Sequence, residues 1–108
     1  MIQISQIAQA NPAIESVGLI VGSTVLPLRN LSETPETGFA VTPASILDAL
    51  AAEQLLPGVG FEWEEVILWH THPAGGVGPS RIDLANKVPH LQHLVVSITP
   101  DGPIPTWY

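Results

Sequence analysis

The sequence predicts one compact α/β domain, a mixed β-sheet flanked by helices. Three observations carry that expectation. A chain of 108 residues has room for one hydrophobic core and not two, since domains usually take about 100–200 residues. Its 45% hydrophobic and 12% charged residues are the balance of a folding chain, not of a disordered acidic tail. Apolar stripes at helical spacing alternate with short β-branched runs, the order of a sheet with helices packed on it. The single-domain reading covers residues 1–108.

Each element has a local reason. Ile4, Ile7 and Ala8 recur at helical spacing before Asn11-Pro12, which predicts a short first helix lying over the sheet. Ile14–Val21 and Thr24–Leu28 are apolar and β-branched, and Gly22-Ser23 between them is the kind of pair that closes a hairpin. Arg29–Gly38 is a polar loop, and Phe39-Ala40-Val41 reads as a minimal strand. Thr42-Pro43 starts a helix with a hydroxyl cap and a proline where no amide donor is needed. Its buried stripe is Ile46, Leu47, Leu50 and Ala51, and Pro57-Gly58 stops it near Leu56.

Glu62, Glu64 and Glu65 flank Trp63 in a solvated turn, with Trp63 and Trp69 as core or cleft-wall aromatics. Val66–Trp69 is a buried strand running into His70, and Pro73–Pro79, with three glycines and two prolines, is a loop. Ser80-Arg81-Ile82-Asp83 has capping-box spacing and opens a helix to about Val88. His90 and His93 read as a surface pair in the connection that follows. Leu94–Ile98 is a strand, Pro100–Pro103 a turn and Thr106–Tyr108 an edge strand.

Composition narrows the function. Three Lys plus Arg against ten Asp plus Glu leave a net charge of −7, so no cationic surface exists for nucleic acid or acidic membranes. No stretch nears the roughly 20 apolar residues of a membrane span, so no membrane insertion is expected. Met1–Ala10 has no Lys or Arg and lacks the pattern of a secretory signal peptide, which points to the cytoplasm. Zero cysteines exclude disulfides, thiolate nucleophiles and Cys-ligated zinc, leaving His, Asp and Glu to hold any metal.

The chemistry concentrates in Trp69-His70-Thr71-His72-Pro73 and Ser80-Arg81-Ile82-Asp83. On a strand, His70 and His72 share a face about 7 Å apart along the chain, within reach of one ion. A helix starting at Ser80 brings Asp83 in as a third ligand, and three protein ligands with one open position define a catalytic zinc site. Hydrolysis also needs a proton carrier, and Glu15 is the only acid in the apolar Ala13–Val21 segment. Ser80 is placed to donate to a developing oxyanion. The capping box by itself explains Ser80 and Asp83 without catalysis.

Glu15-Ser-Val-Gly18-Leu-Ile-Val-Gly22, His70-Thr-His72-Pro73 and Ser80-Arg-Ile-Asp83 together resemble the JAMM motif of the MPN-domain (Mov34/PAD-1, JAB) zinc metallopeptidases. The resemblance runs from Glu15 to about Ile98; Val17 departs from it, standing where many members have cysteine. It implies a cytidine-deaminase-like α/β fold and Zn2+ on His70, His72 and Asp83, with Glu15 as proton carrier and Ser80 supporting the tetrahedral intermediate. The implied activity is cleavage of an amide or isopeptide bond. A small Cys-free domain of this kind also looks similar to those of phage tail tips, often beside an NlpC/P60-type cell-wall hydrolase. That likeness makes a peptidoglycan cross-link or a tail protein the expected substrate or partner, with a virion tail as the location. A ubiquitin-like C-terminus is the other substrate expected. The alternative function is a catalytically silent MPN-fold assembly module.

Overall fold

A computed structural model describes residues 2–55, 58–73 and 76–108, with Ile2 described in its backbone only. In chain order the elements are α1 (Ile2–Ala10), β1 (Val17–Val21), β2 (Thr24–Leu28) and α2 (Pro43–Ala52). A single 3-10 turn (Trp63–Glu65), β3 (Ile67–His72), α3 (Arg81–Ala85), β4 (Gln92–Thr99) and β5 (Gly102–Trp107) follow. The five strands form one sheet in the order β2-β1-β3-β4-β5. Only β3 and β4 run parallel; the other neighbours are antiparallel. The sheet is therefore mixed, as expected.

Strand alternation sends side chains to two faces, and a helix covers each. On one face Val17, Leu19, Leu26 and Leu68 pack with Ile46 and Leu50 of α2. On the other, Trp69, Leu94 and Val96 pack with Ile4 of α1. A fully buried side chain of this size contributes roughly 1.5–3 kcal/mol, so the two faces together drive the assembly. Trp69 is wholly buried and its indole N–H donates to the Leu19 carbonyl at 3.1 Å. Gly18 stands opposite Trp69 on β1, and any Cβ there would collide with the indole and with the Leu26 carbonyl oxygen. Val17 is a buried packing residue.

Several boundaries differ from expectation. The hairpin turn is where it was predicted, with Gly22 at φ 61°, but β1 begins at Val17 and not at Ile14. The reason is Glu15, whose N–H donates to the Pro35 carbonyl at 2.7 Å instead of joining a ladder. Phe39–Val41 forms no strand, because this segment is tied down through Asn30 and a single backbone bond, Leu31 N–H to Ala40 O at 2.9 Å. Helix α2 carries the predicted Thr42 cap with Pro43. It ends at Ala52, short of Leu56, which lies outside the described residues, as does Pro57.

The buried stripe of α2 is narrower than predicted: Ile46 and Leu50 are buried, while Leu47 and Ala51 face solvent. Helix α3 stops at Ala85 rather than Val88, its end capped by the Asn86 N–H on the Ile82 carbonyl. The Val88 N–H is diverted to Nε2 of His93 at 3.0 Å, which overturns the surface-pair reading of that histidine. His93 is buried within β4, whereas His90 is exposed. Of the predicted loop over residues 73–79, residues 74 and 75 lie outside the described residues.

Strand β5 is longer than predicted, at Gly102–Trp107, and contains Pro103 and Pro105. Their register partners are Ile98 and Val96, alternate positions where a hairpin ladder needs no inward-facing N–H. Pro27 in the opposite edge strand β2 has the same relation to Gly18. Among the described residues, no helix is long and apolar enough to cross a membrane.

Candidate metal centre

Strand β3 delivers two histidines to one place. Leu68, His70 and His72 alternate onto the α2 face, and Leu68 anchors that face in the core. His70 is fully buried and His72 nearly so at the strand end. Their Nε2 atoms are 3.2 Å apart.

Asp83 comes from α3, at the third position after its cap. Ser80 and Asp83 form the complete capping box: Asp83 N–H donates to Ser80 Oγ at 3.1 Å, and Ser80 N–H donates to Asp83 Oδ2 at 2.9 Å. The box orients the carboxylate, and that same Oδ2 lies 3.1 Å from His70 Nε2 and 3.2 Å from His72 Nε2. Three donor atoms thus make a nearly equilateral triangle. Hydrogen bonding alone accounts for it poorly, since each imidazole N–H can point along only one edge. Ligands at about 2.0–2.1 Å around a tetrahedral zinc stand roughly 3.3–3.4 Å from one another, so the triangle fits such an ion.

Glu15 completes the cluster from the segment before β1. Its carbonyl accepts from Asn30 Nδ2 at 2.9 Å and its N–H is held by Pro35, so its backbone is fixed from both sides. Oε2 reaches within 3.9 Å of His72 Nε2, while buried Oε1 has no hydrogen-bond partner among the described residues. Glu15, His70 and His72 offer ligand atoms all within 4.8 Å of one another and could hold a metal. Two carboxylates therefore compete for the third ligand position, and Asp83 is the nearer.

The environment separates the two acids. Burial, reinforced by the charge of Asp83, pushes the Glu15 carboxyl from 4.5 up to about 7. Burial also works to raise Asp83, but hydrogen bonds from His70 and the Ser80 N–H, with the two imidazoles beside it, prevail and bring it from 3.8 to about 2. For His70, burial lowers the basicity more than the Asp83 carboxylate restores it. One carboxylate stays ionised beside the imidazoles while the other is poised to hold a proton.

All five residues expected at the site are brought together, Ser80 at its exposed rim. Ser80 Oγ accepts from Asp83 N–H and keeps its own proton to donate. A cleft of about 430 Å³ opens beside Asp83, walled by Ser32, Thr34, Thr37, Phe39 and Ser80. Three contributors were missed from sequence. Phe39 stacks on the His70 ring with centroids 4.3 Å apart, the Tyr108 hydroxyl lies 3.4 Å from His70 Nδ1, and Asn30 holds Glu15. No spacing rule ties residues 30, 39 or 108 to residue 70; Phe39 carried only the signal of an aromatic in an otherwise polar stretch.

Fold and cluster define a JAB/MPN-type α/β domain. A family model described as prokaryotic homologs of the JAB domain matches residues 1–107, and the chain belongs to that family. No curated protein and no solved structure matches it.

Proposed function

We propose that this domain is a zinc-dependent metallopeptidase that hydrolyses an amide or isopeptide bond. The observation that carries the reading is the triangle of His70 Nε2, His72 Nε2 and Asp83 Oδ2, with edges of 3.1–3.2 Å, next to the buried Glu15 carboxyl. His70, His72 and Asp83 would hold the metal. When bound, zinc lowers the pKa of a water at its open position and polarises a carbonyl.

The protein groups supply the rest. Glu15 would take a proton from the attacking water at its carboxylate and return it to the leaving nitrogen, a role suited to a buried carboxyl whose Oε2 lies 3.9 Å from His72 Nε2. Ser80 Oγ donates to the carbonyl oxygen as negative charge develops there. The cleft beside Asp83, with the hydroxyls of Ser32, Thr34, Thr37 and Ser80 set among apolar side chains such as Phe39, Val41 and Val88, suits an uncharged peptide backbone. A peptidoglycan cross-link, a tail protein and a ubiquitin-like C-terminus are the substrates this chemistry serves. Retention of every ligand supports an active enzyme over a silent assembly module.

The test is metal content together with Glu15→Gln. Purified protein should carry close to one zinc per chain, and Glu15→Gln should keep that zinc while losing hydrolysis of a peptide or isopeptide probe. Full activity in Glu15→Gln overturns the proton role, and a folded protein with no affinity for zinc overturns the whole reading.

A further inference from the structure

We propose that Tyr108 is a positioning residue for His70, fixing the imidazole through its second nitrogen; the inference rests on the metal-centre reading. His70 is fully buried and its Nε2 points into the donor triangle. A buried imidazole that ligates through one nitrogen carries a proton on the other, and that proton needs an acceptor, which also sets the ring orientation. Among the described residues, the hydrogen-bond partner of His70 Nδ1 is the Tyr108 hydroxyl, at 3.4 Å.

The phenol is itself held in place. Leu94 pairs with Trp107 across β4 and β5, which sets Tyr108 beside His93, and the Tyr108 N–H donates to the His93 carbonyl at 3.1 Å. The Tyr108 ring rests on His93 at 5.3 Å and meets the His70 ring edge-on at 6.0 Å. His93 is in turn fixed by the Val88 N–H. With Phe39 stacked on one face of His70 and the phenol at its far nitrogen, the imidazole has one orientation. The edge strand, outside every motif residue, thus reaches the centre of the site.

Tyr108→Phe removes the oxygen and keeps the ring. Chelator competition with Zn2+ on both proteins should show one site in each, with affinity in the variant weaker by about tenfold or more, the usual scale for losing such a partner. In the zinc-loaded parent, the His70 Nδ1–H should give a low-field, slowly exchanging proton resonance that broadens away in Tyr108→Phe, while both metal-free proteins still unfold in one cooperative transition. Zinc affinities within twofold of each other overturn the positioning role and leave the metal centre standing. A parent that binds no zinc overturns the metal centre, and this inference with it. If Tyr108→Phe fails to fold, the parent spectrum decides: a His70 Nδ1–H that exchanges at the solvent rate overturns the inference.

Discussion

Asn30 holds the backbone of Glu15. Its amide group donates to the Glu15 and Gly38 carbonyls, each at 2.9 Å, and its side-chain oxygen accepts from the Ser32 and Ala40 N–H groups at 3.0 and 3.1 Å. One carboxamide therefore joins the acid of the site to the segment that carries Phe39. Asn30→Asp keeps the acceptor and turns both donors into repulsive contacts. It should destabilise the fold by about 2 kcal/mol, read by urea unfolding, and reduce turnover more than zinc affinity, because Glu15 is displaced while the ligands are not.

The acidity of Glu15 has a signature in metal-free protein. A carboxyl raised from 4.5 to about 7 on folding binds its proton more tightly folded than unfolded. Its contribution is most favourable below pH 4.5 and is lost as pH rises through 7. His70 and His93, both lowered by burial, act in the opposite direction, so the comparison must be differential. Relative to parent, Glu15→Gln should gain stability by up to about 3 kcal/mol between pH 4.5 and 7.5. Unfolding curves in chelator at a series of pH values check this; a constant difference across the range would refute it.

Metal and fold should be linked. Zinc at about 100 times its dissociation constant should stabilise the parent by roughly 2.7 kcal/mol. His70→Ala should show no such gain, since two corners of the triangle remain without the third. Thermal melts of both proteins with and without zinc give the answer.

Gly18→Ala tests the packing that supports β3. The new methyl meets the Trp69 indole and the Leu26 carbonyl oxygen, and neither can yield without opening the β1–β2–β3 sheet. A loss of about 3 kcal/mol or more is expected, with a red shift in tryptophan emission as Trp69 leaves its pocket.

Much of this architecture is local and was legible. The Gly22-Ser23 hairpin, the Thr42 cap and the Ser80–Asp83 box are short-range devices whose residues are close in sequence, so their chemistry shows in spacing. His70, His72, Ser80 and Asp83 were legible for the same reason, given the strand and helix that carry them, whereas Glu15, far from them in sequence, was placed mainly by the family resemblance. Asn30, Phe39 and Tyr108 act across 15 to 38 residues of separation, where only the folded chain brings partners together. Strand β5 was underestimated because Pro103 and Pro105 argue against a strand in general; at an edge they are tolerated. His93 was misread because its loop neighbours were visible and its Val88 partner was not.

The prolines at both borders of the sheet have a consequence for how this molecule meets others. Wherever an incoming chain tries to extend the sheet, it finds the row of amide donors interrupted, at Pro27 on one side and at Pro103 and Pro105 on the other. Templated growth from one copy to the next is thereby frustrated, and a peptide cannot be threaded on as an additional strand along either full border. Side chains are left to make such contacts, and the cleft that opens beside Asp83 is a place on the surface shaped to receive them.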